Sequence, residues 1–311
     1  MKNYKDTAIW KILSSLKEQI KYSILDFKYS KKYKLCGLEK EILSNVRKNG
    51  YYVLPNFIDP QTCEMLREEV YNSFEKNSGF LQDPEDVRLF GIDTVSSPIY
   101  KLAQMDVFKN VAKAHVSQCF AFAMASVLKF DKTKKSIGSG GGLHRDTIYA
   151  QIKFMIYLTD CNENNGYFEL IEKSHLALYK ALDTLRFNLG YNNNRYENKY
   201  GEIIHKLKSR HKKITGTAGT LIVFDNSIMH TGHPIKEGER VALALYFART
   251  EFFESLSILD KFMLSISSSS RNKMLINEQK IRQRLIRQLI DKDVIMELNP
   301  DCAPSYGIKS A

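Results

Sequence analysis

No run of apolar residues in this 311-residue chain approaches the ~18–20 needed for a helix to cross a bilayer. Cysteine is scarce as well: Cys36, Cys63, Cys119, Cys161 and Cys302 are odd in number, scattered, and nowhere spaced as CxxC. That pattern argues against a disulfide framework or a thiolate zinc site and for reduced thiols in a cytosol. The first 27 residues lack the compact apolar core and small-residue cleavage site of a secretory signal, so the expected location is cytoplasmic. A phosphate loop is missing too. The glycine run GSGGG (138–142) is followed by neither Gly-Lys-Ser/Thr nor a helix, and its expected job is to let the backbone swing.

What the chain has in excess is positive charge, and its position matters. Residues 1–50 carry 12 Lys/Arg against 5 Asp/Glu, and residues 261–311 carry 9 against 5. The stretch between them is balanced at 25 of each. A nucleic-acid enzyme more often carries its positive footprint on the catalytic body, so no nucleic-acid partner is expected. The balanced middle reads as the catalytic unit and the basic ends as appendages.

In 1–37, Ile9, Ile12, Leu13, Leu16, Ile20, Ile24 and Phe27 recur at helical spacing among lysines, a basic amphipathic helix packed on the body. The sharper alternative is a helix lying in an anionic membrane surface. A second helix is expected over 38–48, stopped at Asn49-Gly50, then a strand at YYVLP (51–55). Asp59 then caps a helix with proline at its first position. Residues 81–98 look irregular, with one helix following to about 115. From 117 the texture changes to short β-rich segments separated by turns: CFAFAMASVLKF, TIYAQIKFMIYLTD, GYFELI, GTLIVFD and RVALALYFA. Serial strands of this kind predict a sandwich or barrel. Residues 176–212 interrupt the series with a helix, a polar loop and a basic stretch, as a lid-like insertion. A basic helical extension occupies 253–311.

The chemistry-bearing residues lie in the strand region. His144 and Asp146 follow the glycines and share one face if the backbone is extended. Imidazole plus carboxylate suits a borderline divalent metal, and a second imidazole gives a two-histidine, one-carboxylate set with open positions opposite. Residues 220–247 are the best source: a strand, a turn presenting His230, and a return through KEGE into a strand opening with Arg240. Arg240 can offer a fork of donors to a carboxylate. A protein binding metal alone has little need of that arginine.

Three stretches, GYYVLPNFIDPQTCEMLREEV (50–70), GGLHRDTIYAQIKFMIYLTDCNENNGYFELIEKSH (141–175) and GTLIVFDNSIMHTGHPIKEGERVALALYF (219–247), together resemble the phytanoyl-CoA dioxygenase family of iron(II)- and 2-oxoglutarate-dependent dioxygenases. The resemblance runs from about 38 to 252. It implies an α+β fold, a double-stranded β-helix (a jelly-roll, cupin-like barrel) with flanking N- and C-terminal helices. It also implies Fe(II) on His144, Asp146 and His230, 2-oxoglutarate as co-substrate held by Arg240, and O2. The reaction would hydroxylate a small or carrier-linked, possibly anionic metabolite while 2-oxoglutarate becomes succinate and CO2. Two places after the distal histidine, better-known members carry Ser or Thr; here that place is Gly232, and Thr231 beside it is the candidate substitute. Related halogenating sequences replace the carboxylate with a small residue, so Asp146 favours hydroxylation.

Other readings stay open at this stage. His233 is the rival distal ligand, and His175 is expected to be structural, with a lesser catalytic alternative. His115, His205 and His211 are expected to be exposed, and Cys161 to sit in a turn. Lys153 and Tyr149 are candidate contacts for 2-oxoglutarate or substrate. Yet 153 is odd where 144 and 146 are even, so Lys153 points inward only if the backbone around 147–150 bulges. Lys101 and Gln151 are weaker pocket candidates, and Asp225 and Asn226 are expected to form a turn. Two other classes compete with an oxygenase: a non-catalytic jelly-roll binding protein, and a cupin-like metal isomerase or hydrolase, which would leave Arg240 unexplained.

Overall fold

The computed structural model describes residues 13, 20, 33, 35, 37–76, 86–116, 118–133, 142–147, 150–189 and 195–249. The expected C-terminal helix and Tyr149 lie outside these, as does the N-terminal helix apart from Leu13 and Ile20, both exposed.

In chain order the elements are α1 (Gly37–Asn49), β1 (Tyr51–Leu54), α2 (Pro60–Lys76), β2 (Asp86–Phe90), α3 (Ser97–Ala103), α4 (Asp106–Val116), β3 (Gln118–Lys129), β4 (Ile152–Tyr157), β5 (Phe168–Ile171), α5 (Ala177–Phe187), α6 (Tyr200–Lys206), β6 (His211–Ile214), β7 (Leu221–Asp225), β8 (Met229–Gly232) and β9 (Glu239–Arg249). Local chemistry sets the early boundaries. Gly50 ends α1 at φ +93°, and a Cβ there would lie 2.6 Å from His175 Nδ1, so both conformation and space demand glycine. Asp59 Oδ1 accepts the Thr62 backbone N–H at 2.9 Å, capping α2 behind Pro60.

The strands form two antiparallel sheets, a six-stranded one in the order β1-β7-β4-β9-β3-β2 and a three-stranded one in the order β6-β5-β8. Alternation sorts their side chains into layers. On β4, Ile152, Phe154 and Ile156 face a core built with α1, α2 and α4 through Ile42, Leu66, Val70 and Phe108. Tyr157, Ile222, Phe224 and Ala242 face the other way and meet Phe168 and Leu170 of the small sheet. That face-to-face packing is the jelly-roll barrel. A third apolar cluster covers the outside of the small sheet, where Ile171 and Met229 meet Phe187, Leu189, Tyr196, Ile203 and Leu207. The segment from 176 to 212 therefore carries its own core.

Some expectations need correction. The irregular stretch before residue 98 contains β2, an edge strand paired only to β3; charged Asp86 and Arg88 break its apolar alternation, as edges commonly do. Two helices, α3 and α4, stand where one was expected. The basic stretch after 206 holds β6, the edge of the small sheet. His115 and His211, expected to be exposed, are not: His115 is buried, and His211 is half-buried with Nε2 2.8 Å from Glu169 Oε2.

Candidate metal centre

His144 is not in a regular strand. It forms an isolated antiparallel bridge to His230 of β8, and the chain bends at Asp146. The bridge is reciprocal, with His144 N–H donating to His230 O and His230 N–H donating to His144 O, both at 2.9 Å. Directly opposed residues project to the same face, and the two imidazole rings lie 4.4 Å apart. The Asp146 N–H donates to Asn226 O at 3.0 Å. Between the two candidate ligands, Arg145 is buried, and its Nη1 donates to Ser174 O at 2.7 Å and also to Ser227 O. The His-Arg-Asp triplet is thus pinned to β8, to the turn between β7 and β8, and to the segment after β5.

The donor set fits a divalent metal. His144 Nδ1 lies 2.7 Å from Gly142 O, and His230 Nδ1 lies 3.0 Å from Ile228 O. A carbonyl oxygen can only accept, so both rings carry their proton on Nδ1 and present a bare Nε2. Asp146 Oδ1 lies 3.3 Å from His144 Nε2 and 3.7 Å from His230 Nε2. Burial, then the neighbouring His144, pushes the His230 imidazole down to about 3, so it is neutral and ligand-ready at any ordinary pH. Burial works against charge on Asp146, but Lys153 first, then His230 and His144, hold its carboxyl well below the usual range. Among the described residues, these three form a cluster able to hold an ion, with their ligand atoms within 4.8 Å of one another.

Lys153 does point inward. Its Nζ lies 2.8 Å from Asp146 Oδ2 and 4.2 Å from the centre of the Tyr246 ring. The parity conflict disappears because the ladder of β4 starts only at Ile152, so no continuous alternation links 146 to 153. Gln151 is engaged at both ends, donating to Phe247 O at 2.6 Å and accepting from Asn226 Nδ2 at 3.2 Å, and Lys101 is exposed on α3.

Arg240 sits near the start of β9, and its guanidinium lies against two glycines. A Cβ on Gly232 would stand 3.2 Å from Nη1, and one on Gly166 would stand 3.5 Å from it. Nη1 also donates to Gly166 O. Gly232 shares the His230 face of β8, two residues on, so the arginine approaches about 6.6 Å along the strand from the histidine. Thr231 alternates to the opposite face, where it pairs with Glu169 in register. It is therefore not placed beside Arg240, contrary to the substitution expected from its neighbouring position. His233 stacks on Tyr167 with rings 4.4 Å apart, and its Nδ1 lies 3.6 Å from Glu169 Oε1; it stands outside the cluster of three.

Several supporting residues were not picked out in the sequence as parts of the site. Arg145, between His144 and Asp146, is one of them. Asp225 does form the expected turn, accepting the Ser227 N–H at 2.8 Å. It is also buried, with His115 Nε2 3.5 Å away, and burial opposed by His115, His175 and Lys180 leaves its carboxyl far below the ordinary range. His175 is also buried, with Nε2 3.1 Å from Arg47 O. The segment from 176 to 212 reaches the site at one edge, where Arg195 bridges His144 and the Tyr196 N–H donates to Leu143 O at 2.7 Å. A buried arginine or aspartate in a turn has no periodic signature, so only the fold could bring these residues together.

The sequence model described as phytanoyl-CoA dioxygenase (PhyH) matches residues 46–240. No curated protein matches the chain by sequence. Among solved structures, the epimerase SnoN in complex with Fe3+, alpha ketoglutarate and nogalamycin RO is similar with a TM-score of 0.54 at 12% identity, over 68% of this chain and 84% of that one. HygX from Streptomyces hygroscopicus, with nickel, 2-oxoglutarate and hygromycin B bound, has a TM-score of 0.50 at 15% identity, over 68% and 87%. EctD from S. alaskensis with bound Fe has a TM-score of 0.50 at 16% identity, over 70% and 78%. At these identities the likeness is one of fold.

Proposed function

Since the chain belongs to the phytanoyl-CoA dioxygenase family, we propose that it is an iron(II)- and 2-oxoglutarate-dependent oxygenase, hydroxylating a small or carrier-linked metabolite. The observation that carries this reading is the pairing of two arrangements on one strand. His230 points a bare Nε2 at Asp146 Oδ1, and two residues on, Gly232 leaves its side-chain space to Arg240. A metal chelate at the first point and a carboxylate at the second suit one dicarboxylate ligand laid along β8. When bound, iron(II) and 2-oxoglutarate supply the redox chemistry, with 2-oxoglutarate leaving as succinate and CO2.

The chain's own residues have separable roles. The Nδ1 bonds to carbonyls fix the His144 and His230 rings with Nε2 turned towards Asp146 Oδ1, and burial keeps His230 neutral. Asp146 is charged and offers Oδ1. Arg240 gives the far carboxylate a fork of donors in a partly buried setting, where such pairs are strong. Retention of Asp146, rather than a small residue, supports hydroxylation over halogenation. A binding protein without turnover would have no need of a ligand set and a carboxylate clamp together, and a metal isomerase or hydrolase would leave the clamp without a role. The relatives in fold include an epimerase and a carbocyclase, so the product of substrate oxidation is the finer part of the proposal.

No helix among the described residues is long and apolar enough to cross a membrane. We place the enzyme in the cytoplasm, with the basic ends, 1–37 and 253–311, as appendages to the dioxygenase domain and 176–212 as a lid-like insertion that meets the site at its edge. The experiment is oxygen-dependent release of succinate from 2-oxoglutarate by Fe(II)-loaded protein. Slow succinate release that vanishes in Asp146→Ala supports the reading; release that is absent, or unaltered in Asp146→Ala, overturns it.

A further inference from the structure

We infer that Lys153 is a positioning residue that holds Asp146 to the metal through one oxygen only. The inference rests on the metal reading proposed above and concerns how that site is kept open. The two carboxylate oxygens of Asp146 face different neighbours. Oδ1 looks towards both histidine Nε2 atoms, at 3.3 and 3.7 Å, whereas Oδ2 accepts from Lys153 Nζ at 2.8 Å.

A carboxylate can bind a cation through one oxygen or two, and the choice decides how many positions remain for other ligands. Here the second oxygen is already engaged by an ammonium that has little freedom to leave. Lys153 is buried, and its backbone is fixed in the middle of the large sheet, in register with Phe224 on one side and Tyr246 on the other. The rings of those two residues flank its Nζ at 5.6 and 4.2 Å. Tyr246 is itself held by Phe122, stacked at 4.5 Å with an interplanar angle of 14°. The lysine is therefore a fixed cation on the outer oxygen, and a chelating co-substrate keeps a position that a two-oxygen aspartate would take. The same charge works against the metal, so it trades metal affinity for an open site.

The test uses full-length protein, Co(II) as the metal probe, and 2-oxoglutarate as the chelator, without oxygen. Lys153→Met is expected to bind Co(II) as tightly as wild type or more tightly. Its Co(II) form is expected to bind 2-oxoglutarate at least about tenfold more weakly, the lower end of what residues behind metal ligands usually contribute. Lys153→Gln keeps a donor for Oδ2 and should recover part of the 2-oxoglutarate affinity. A residue that merely supports the fold would move metal affinity downward, so loss of Co(II) affinity in Lys153→Met, or unchanged 2-oxoglutarate binding, overturns the inference. A crystal structure of the wild-type Zn(II) form with 2-oxoglutarate decides the matter without any variant. Asp146 bound through Oδ1 with Oδ2 on Lys153 supports it; Asp146 bound through both oxygens, or Lys153 turned to the 2-oxoglutarate, overturns it. Wild-type protein that takes up neither metal would overturn the metal reading itself, and this inference with it.

Discussion

His144 and His230 are bonded to each other through their backbones, N–H to carbonyl in both directions at 2.9 Å. Their 86-residue separation in sequence is thus closed by a hydrogen-bonded cross-strand pair, which puts both imidazoles on one face, while their Nδ1 contacts with Gly142 O and Ile228 O orient the rings. The candidate metal site inherits part of its geometry from the sheet.

Arg145 fastens that pair to the rest of the barrel. Replacing it with methionine strands the carbonyls of Ser174 and Ser227 and should lower stability by about 3 kcal/mol, the range for breaking a buried charged hydrogen-bond set. Urea unfolding of the metal-free protein measures this, and Co(II) affinity should fall in parallel.

Arg240 is expected to act on the co-substrate alone. Arg240→Ala should weaken 2-oxoglutarate binding about 100-fold, equivalent to ~2–3 kcal/mol for a charge-assisted pair, with metal affinity unchanged. Calorimetric titration of the metal-loaded protein separates the two quantities. A matching loss of metal affinity would assign Arg240 a structural role instead.

Gly232 gives a sharper test of the same pocket, because it acts through space and not charge. Its missing Cβ would sit 3.2 Å from Arg240 Nη1. Gly232→Val pushes branched carbon into the guanidinium and should raise the 2-oxoglutarate dissociation constant at least about fivefold, as overpacking of about 1–3 kcal/mol implies. The metal titration should be that of wild type.

Glu169 sets an acid limit on the small sheet. Burial alone would raise its carboxyl, but the bonded His211 and Tyr200, with the His233 ring 3.6 Å away, bring it from an ordinary 4.5 down to about 2. A depressed carboxyl stabilises the fold above its unfolded pKa, and that contribution fades as pH falls from about 4.5 towards 2. Glu169→Gln should be less stable than wild type at neutral pH and show a flatter loss between those values in unfolding followed by circular dichroism.

Much of the candidate site is legible in the sequence. His144, Asp146, His230 and Arg240 stand on recognisable motifs, and serial apolar strands announce a barrel. The helix starting behind Asp59 and the stop at Gly50 follow from local backbone chemistry. Other features depend on contacts between distant segments. Strict alternation counted from Asp146 would have turned Lys153 outward; only the late start of β4 at Ile152 reverses that. Thr231 looked equivalent to its neighbour by adjacency, yet one residue along a strand is the opposite face. His115 and His211 read as surface residues because their basic surroundings conceal the buried carboxylates, Asp225 and Glu169, that receive them. β2 and β6 were hidden because edge strands carry charges that blur their period.

The most direct measurement is an anaerobic optical titration of the Fe(II)-loaded protein with 2-oxoglutarate. A site with His144, Asp146 and His230 on the metal and Arg240 on the far carboxylate predicts a weak visible charge-transfer band that saturates with 2-oxoglutarate. His230→Ala should lose the band, and Arg240→Ala should require far more 2-oxoglutarate to reach it. No band in the wild-type protein, with no binding of 2-oxoglutarate by calorimetry, would contradict the account at its centre.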